Sequence, residues 1–133
     1  MNPFTPAELA YLDGQKLGRL ATIGPDGAPQ ARPVGFAVDH ESGDIDIAGL
    51  DNPSTQKWRN IARDGRVTFV VDDVQPPWRP RVIEVRGVAE VLPDARRPDA
   101  VPNAKPGLIR VHPRRILVFG VEEGGPGNRT VGG

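Results

Sequence analysis

Between Asn52 and Asn60 the chain reads NPSTQKWRN: the Ser54 and Thr55 hydroxyls, the Gln56 amide, the Lys57 ammonium and the Arg59 guanidinium stand around Trp58, with no acid among them. Each of these polar side chains can donate a hydrogen bond. Asn52-Pro53-Ser54 reads as the lead-in to a helix beginning near Thr55. The first backbone N–H groups of a helix have no partner inside it, and its dipole places partial positive charge at that end. A phosphate, sulfate or carboxylate is stabilised there. Lys57 in the first turn opposes the dipole, so a nearby anion would offset what its charge costs. The chemistry on offer is anion binding, with Thr55, Gln56 and Lys57 supplying donors from one turn. The same residues also allow a plainer reading, in which Ser54 or Thr55 only caps the helix and Lys57 is solvated.

Few other residues carry chemistry. Trp78 sits in PPWRPR, a composition suited to a flat ligand wall or an interface anchor, and equally to a plug at the end of a barrel. His112, before Pro113 and Arg114, could donate to a substrate, but a single histidine on a strand also serves as a hydrogen-bonded structural residue. There is no nucleophile–histidine–acid set, no HExxH, no phosphate-binding glycine loop and no dinucleotide fingerprint, so no catalytic residue is assigned. The chain has no cysteine, which excludes disulfides and thiolate metal sites. Its two histidines, His40 and His112, would need carboxylate help to hold a metal and are a poor supply of haem ligands. Seventeen basic residues balance seventeen acidic ones, so the basic footprint of a nucleic-acid binder is missing. No apolar run is long enough to cross a bilayer, and MNPFTPAELAYL lacks the pattern of an export signal; a cytoplasmic location away from membranes is expected.

The elements that must position these residues are short and closely punctuated. The 133 residues fit one domain, and 16 glycines with 15 prolines break the chain every ten residues or so, which favours an all-β barrel or sandwich. Thr5, Pro6 and Glu8 write a capping box for a first helix, with Phe4 and Leu9 at the staple positions, Leu9 and Leu12 as its apolar face and Asp13-Gly14 as its end. Strands follow at 17–24, at 29–39 with Val34, Phe36 and Val38 alternating, and at 44–49 with Ile45 and Ile47, joined by turns at 25–27 and 40–43 into a meander. The donor-rich helix carries Trp58, Ile61 and Ala62 on one side and stops at Asp64-Gly65. Strands at 66–73, 81–92 and 108–121 complete the set, with a loop over 74–80, a Pro-rich connection over 93–107, a bend at Pro113 and a frayed tail over 122–133. The expectation is a six-stranded antiparallel barrel with a helix between its third and fourth strands.

FTPAELAYLDGQKLGRLATIGPDGAPQARPVGFAVD, STQKWRNIARDGRVTFVVDD, PWRPRVIEVRGVAEVL and IRVHPRRILVFG, in this order and spacing, resemble the pyridoxamine 5′-phosphate oxidase-like split β-barrel proteins. More narrowly they resemble an actinobacterial branch of probable coenzyme F420-dependent oxidoreductases, and the resemblance runs from about Phe4 to Val121. It implies an FMN-binding split barrel that forms homodimers, with cofactor sites in the grooves between subunits and a small-molecule substrate. Thr55, Gln56 and Lys57 would hold the cofactor phosphate. Arg32, Pro33, Val34 and Gly35 would run beside the flat ring, and Trp78 would cover it from the second subunit. Two positions depart from the pattern: relatives often carry a basic residue at Gln56 and tryptophan at Phe119. The implied activity is hydride transfer between reduced F420, or alternatively FMN, and a small unsaturated or planar molecule; a non-enzymatic flavin- or haem-binding module is the other class.

Overall fold

Thr5 caps the first helix as its sequence requires. In the computed structural model, which describes residues 2–97 and 102–132, the Thr5 hydroxyl accepts from the Glu8 N–H at 3.1 Å and the Glu8 carboxylate accepts from the Thr5 N–H at 2.8 Å. This closed capping box starts α1 (Pro6–Asp13). Phe4 and Leu12 are buried and Leu9 packs against the core, as the staple and apolar face lead one to expect.

The strands are β1 (Leu17–Ile23), β2 (Pro29–Gly35), β3 (Ala37–Val38), β4 (Ile45–Ile47), β5 (Arg66–Gln75), β6 (Arg79–Leu92), β7 (Leu108–Phe119) and β8 (Arg129–Thr130), with α2 (Gln56–Arg63) between β4 and β5. All pairings are antiparallel, in the order β2-β1-β5-β6-β7-β4-β3, and β8 adds to β7. The strand expected over 29–39 is divided at Phe36: its first half pairs with β1 and its second half with β4. The two ends of the strand order are therefore consecutive pieces of chain, and the sheet must curl until they meet. Counting β2 and β3 as one bent strand and leaving aside the two-residue β8, this is the expected six-stranded split barrel with a helix after the third strand.

The barrel interior holds Leu20, Ile45, Ile47, Phe69, Val71, Ile83, Val85, Ile109, Val111 and Ile116, each at most 1% exposed. Burying a side chain of this kind contributes about 1.5–3 kcal/mol relative to leaving it in water, before conformational entropy is counted. Phe69 meets Phe36 edge to face, with ring centroids 5.1 Å apart. At Gly18 the Phe69 ring comes so close that an added Cβ would lie 2.2 Å from it. The bend expected at Pro113 is a β-bulge: Gly87 pairs with Pro113 and Arg86 with Arg115, leaving Arg114 as the extra residue.

Three expectations need correction. The loop over 74–80 is only a tight turn, because β5 and β6 pair out to Gln75 and Arg79 in a long hairpin. Ala62 is exposed, and α2 buries Trp58, Asn60 and Ile61 instead. The tail thought to fray carries β8, and Arg129 on it donates to both Glu8 oxygens, at 2.5 and 3.1 Å, and to the carbonyls of Pro3 and Gly127. The expected connection over 93–107 lies partly outside the described residues.

Candidate cofactor site

Helix α2 starts as the donor cluster suggested, and its capping residue is Thr55. The Thr55 hydroxyl accepts weakly from the Trp58 N–H (3.4 Å) and gives its own hydrogen to the Asn52 carbonyl at 2.7 Å. That hydrogen is spent inside the loop, so Thr55 shapes the helix end rather than donating beyond it. Asn52 is buried and fastens the preceding turn by donating to the Ile47 and Gly107 carbonyls at 3.0 and 3.1 Å.

Against this helix start lies a cavity of about 650 Å³ lined by Thr22, Gln30, Ala31, Arg32, Thr55, Gln56 and Lys57. Four of the eight residues singled out from the sequence meet there: Arg32, Thr55, Gln56 and Lys57. The reason lies in strand register. Thr22 of β1 stands directly opposite Gln30 of β2, and Arg32 is two residues further along β2, so alternation puts all three on one face. Val34 continues that face into the core and is buried; Pro33 and Gly35 point the other way and are exposed.

The electrostatics are one-sided. Lys57 is half-buried, and its ammonium is held below the ordinary lysine value of 10.5, first by burial and then by the charge of Arg32 beside it. Among the described residues neither cation has a carboxylate partner. The first turn of α2 also contains no acid. Elsewhere arginines are paired: Arg81 with Asp73, Arg110 with Asp46, Arg66 with Asp64 and Arg129 with Glu8. Two adjacent unpaired cations at a helix amino end can neutralise an oxyanion, and an oxyanion would offset the burial and the repulsion from Arg32 that together lower Lys57.

Gln56 has already committed its oxygen and one of its two amide hydrogens. Its Oε1 accepts from Arg59 at 2.9 Å and its Nε2 donates to Asn60 at 2.8 Å. Asn60 is fully buried, and sequence reasoning missed it: it looked like one more polar residue of the cluster. Its Nδ2 donates to Thr22 Oγ1 at 2.9 Å and to Gln30 Oε1 at 2.8 Å, which ties α2 to the β1–β2 hairpin. The only signal was helical spacing, since position 60 falls between the core positions 58 and 61.

Trp78 lies elsewhere in the chain. At the tip of the β5–β6 hairpin it is 76% exposed and, with Phe119 at 61%, it lines a separate recess of about 590 Å³ together with Arg79, Pro80, Gly120, Val121, Glu122 and Glu123. It does not plug the barrel. His112 is held between carboxylates, its Nδ1 3.0 Å from Asp44 and its Nε2 3.4 Å from Glu90, which suits a structural residue. No helix of the described residues is long and apolar enough to cross a membrane.

A curled antiparallel split barrel with a donor-lined cavity at its inserted helix defines a known class of protein, and the sequence matches that class. Residues 4–125 match the pyridoxamine 5′-phosphate oxidase family, and the chain belongs to it. It is 44% identical over 122 residues to a 5a,11a-dehydrotetracycline/5a,11a-dehydrooxytetracycline reductase of Streptomyces rimosus, spanning 90% of this chain and 85% of that protein. Among solved structures it resembles an F420 reductase (27% identical, TM-score 0.62, 80% of this chain and 93% of that one). It also resembles the conserved hypothetical protein Rv2991 of Mycobacterium tuberculosis (26% identical, TM-score 0.69, 98% and 93%). This kinship makes the chain an oxidoreductase of the family.

Proposed function

We propose that the protein is a reductase that uses reduced coenzyme F420, or alternatively FMN, to transfer hydride to a small unsaturated or planar organic molecule. The observation that carries this reading is the unpaired Lys57–Arg32 pair at the start of α2, facing a cavity with room for a cofactor phosphate and the chain attached to it. The kinship with a tetracycline-derivative reductase and with an F420 reductase supports the reaction class and the deazaflavin. The donor set fits the group: two cations, helix N–H groups and no acid.

When bound, the ring system supplies the hydride chemistry. The chain's own part is to bind and orient. Lys57, Arg32 and the free N–H groups of α2 neutralise the phosphate, and Thr55 holds the helix end in place. Strand β2 is at the end of the strand order, so its main-chain groups facing away from β1 are free of ladder bonds in the protomer. The stretch Pro33–Gly35 can thus offer carbonyls and N–H groups to the polar edge of a flat ring. Trp78, too exposed for a lone protomer, would close over the ring of a second copy and exclude water, which makes the working unit a homodimer.

The test is to titrate F420 and FMN with the purified protein, following cofactor fluorescence, and then to follow oxidation of the reduced cofactor across a panel of unsaturated acceptors. Binding with acceptor-dependent oxidation is expected. Binding without turnover would leave a carrier or sensor module, and indifference to both cofactors would overturn the proposal.

A further inference from the structure

Asn60 is fully buried, yet every hydrogen-bonding position of its side chain is used. Its oxygen accepts from Gln56 Nε2 at 2.8 Å and from Arg63 at 3.5 Å, and its two amide hydrogens go to Thr22 Oγ1 and Gln30 Oε1. Two arginines fix the direction of this chain of bonds. A guanidinium has no acceptor, so Arg59 compels Gln56 to present its oxygen, and the Gln56 amide nitrogen then turns to Asn60. With its oxygen committed to Gln56 and Arg63, Asn60 must show its N–H groups to Thr22 and Gln30. Both of those residues line the cavity.

The consequence falls on the cavity wall. Gln30 uses its carbonyl oxygen on Asn60 and is left with an amide NH₂. Thr22 is 3% exposed, and its oxygen accepts from Asn60. Its hydroxyl hydrogen has no protein acceptor among the described residues, and the cavity is the space beside it. The part of the cavity wall built by β1 and β2 is thereby set to donate. Resting on the reading that the cavity seats a cofactor phosphate, we propose that Asn60 is a positioning residue that sets the polarity of this cavity, making Thr22 and Gln30 donors to the phosphate oxygens alongside Lys57 and Arg32. The selected ligand presents acceptors only, as an ionised phosphate ester does. A ligand presenting hydroxyl or amine hydrogens to that wall would meet donors it cannot satisfy.

The experiment compares each cofactor with its phosphate-free counterpart, FMN with riboflavin and F420 with its deazariboflavin, in the full-length protein. In wild type the phosphate-bearing compound binds tighter; the ratio of dissociation constants for FMN and riboflavin reads the seat itself, and that for F420 reads the seat together with the acidic tail beyond the phosphate. Thr22→Val keeps the side-chain shape and removes one donor; the ratio should fall about tenfold, the scale of one hydrogen bond to a charged group. Asn60→Asp reverses the relay, because a carboxylate draws the Thr22 hydroxyl and the Gln30 amide toward itself; the ratio should fall further while binding of the phosphate-free ring persists. A purely structural role would weaken both compounds alike. If Asn60→Asp does not fold, Thr22→Val decides alone. A wild-type ratio that Lys57→Met lowers but Thr22→Val leaves unchanged overturns this inference and spares the phosphate seat. A wild type that binds none of the four compounds overturns both.

Discussion

Replacing Lys57 with methionine keeps the length and apolar bulk of the side chain and removes only its charge. In the ligand-free protein that charge is a burden. It stands in the first turn of α2, half-buried beside Arg32 and without a carboxylate. An unfavourable position on the helix dipole costs about 0.3–1 kcal/mol, so Lys57→Met should leave the ligand-free protein as stable as wild type or more stable by up to about 1 kcal/mol. Cofactor binding should move the other way. Losing one charge-assisted contact costs about 1.5–3 kcal/mol, or about one to two orders of magnitude in Kd. The pH dependence carries a further sign. The folded protein holds the Lys57 proton less firmly than the unfolded chain does, so between the lowered value and 10.5 the unfolded state binds more protons. Ligand-free wild type therefore gains stability as pH rises through that window, and Lys57→Met lacks the gain. Urea unfolding without ligand, at neutral and alkaline pH, and cofactor fluorescence titration measure the two halves. A variant destabilised by more than about 1 kcal/mol, or one that binds the cofactor as tightly as wild type, would refute the reasoning.

Three other perturbations probe the scaffold. Arg129→Met leaves the Glu8 carboxylate, 1% exposed, without its counter-charge; denaturant unfolding should show a loss of about 3–5 kcal/mol, and a loss below about 1 kcal/mol would mean that the tail is not holding the helix. Gly18→Ala pushes a methyl group to within 2.2 Å of the Phe69 ring and should lower stability by about 1–3 kcal/mol, read as a fall in Tm; an unchanged Tm would refute that packing. Tyr11 is the chain's single tyrosine, and burial, followed by its hydrogen bond to Asp73, raises its hydroxyl well above the ordinary 10.0. Ultraviolet titration should find no tyrosinate step near pH 10 until the protein unfolds, and because only the unfolded chain ionises there, Tyr11 withdraws stability as pH climbs past 10.0.

What could be read from the chain alone was what neighbours in sequence decide. The capping box at Thr5–Glu8, the alternation at 67, 69 and 71 and the acid-free start of α2 are all local, and all are present in the fold. What escaped depends on distant partners. Gly35 is the single local sign of the break between β2 and β3; the apolar alternation at 34, 36 and 38 runs straight through it, and only closure of the sheet turns that sign into a bend. GNRTVGG has the composition of a loose end, but Arg129 finds a buried partner 121 positions away. Within the candidate site, donor types were legible and donor availability was not. Thr55 and Gln56 looked free, yet the Thr55 hydrogen is spent on Asn52 and one Gln56 amide hydrogen on Asn60. Asn60 in turn takes its meaning from Thr22 and Gln30, 38 and 30 positions earlier.

The clasp between Arg129 and Glu8 also orders events during synthesis. The inward-facing carboxylate of α1 and the guanidinium that neutralises it lie 121 positions apart, so during synthesis the helix exists well before its counter-charge does. Until then, seating α1 against the barrel would bury a carboxylate without its counter-charge, which weakens the docking. A chain cut before position 129 should therefore hold α1 more loosely, and limited proteolysis would find the helix there.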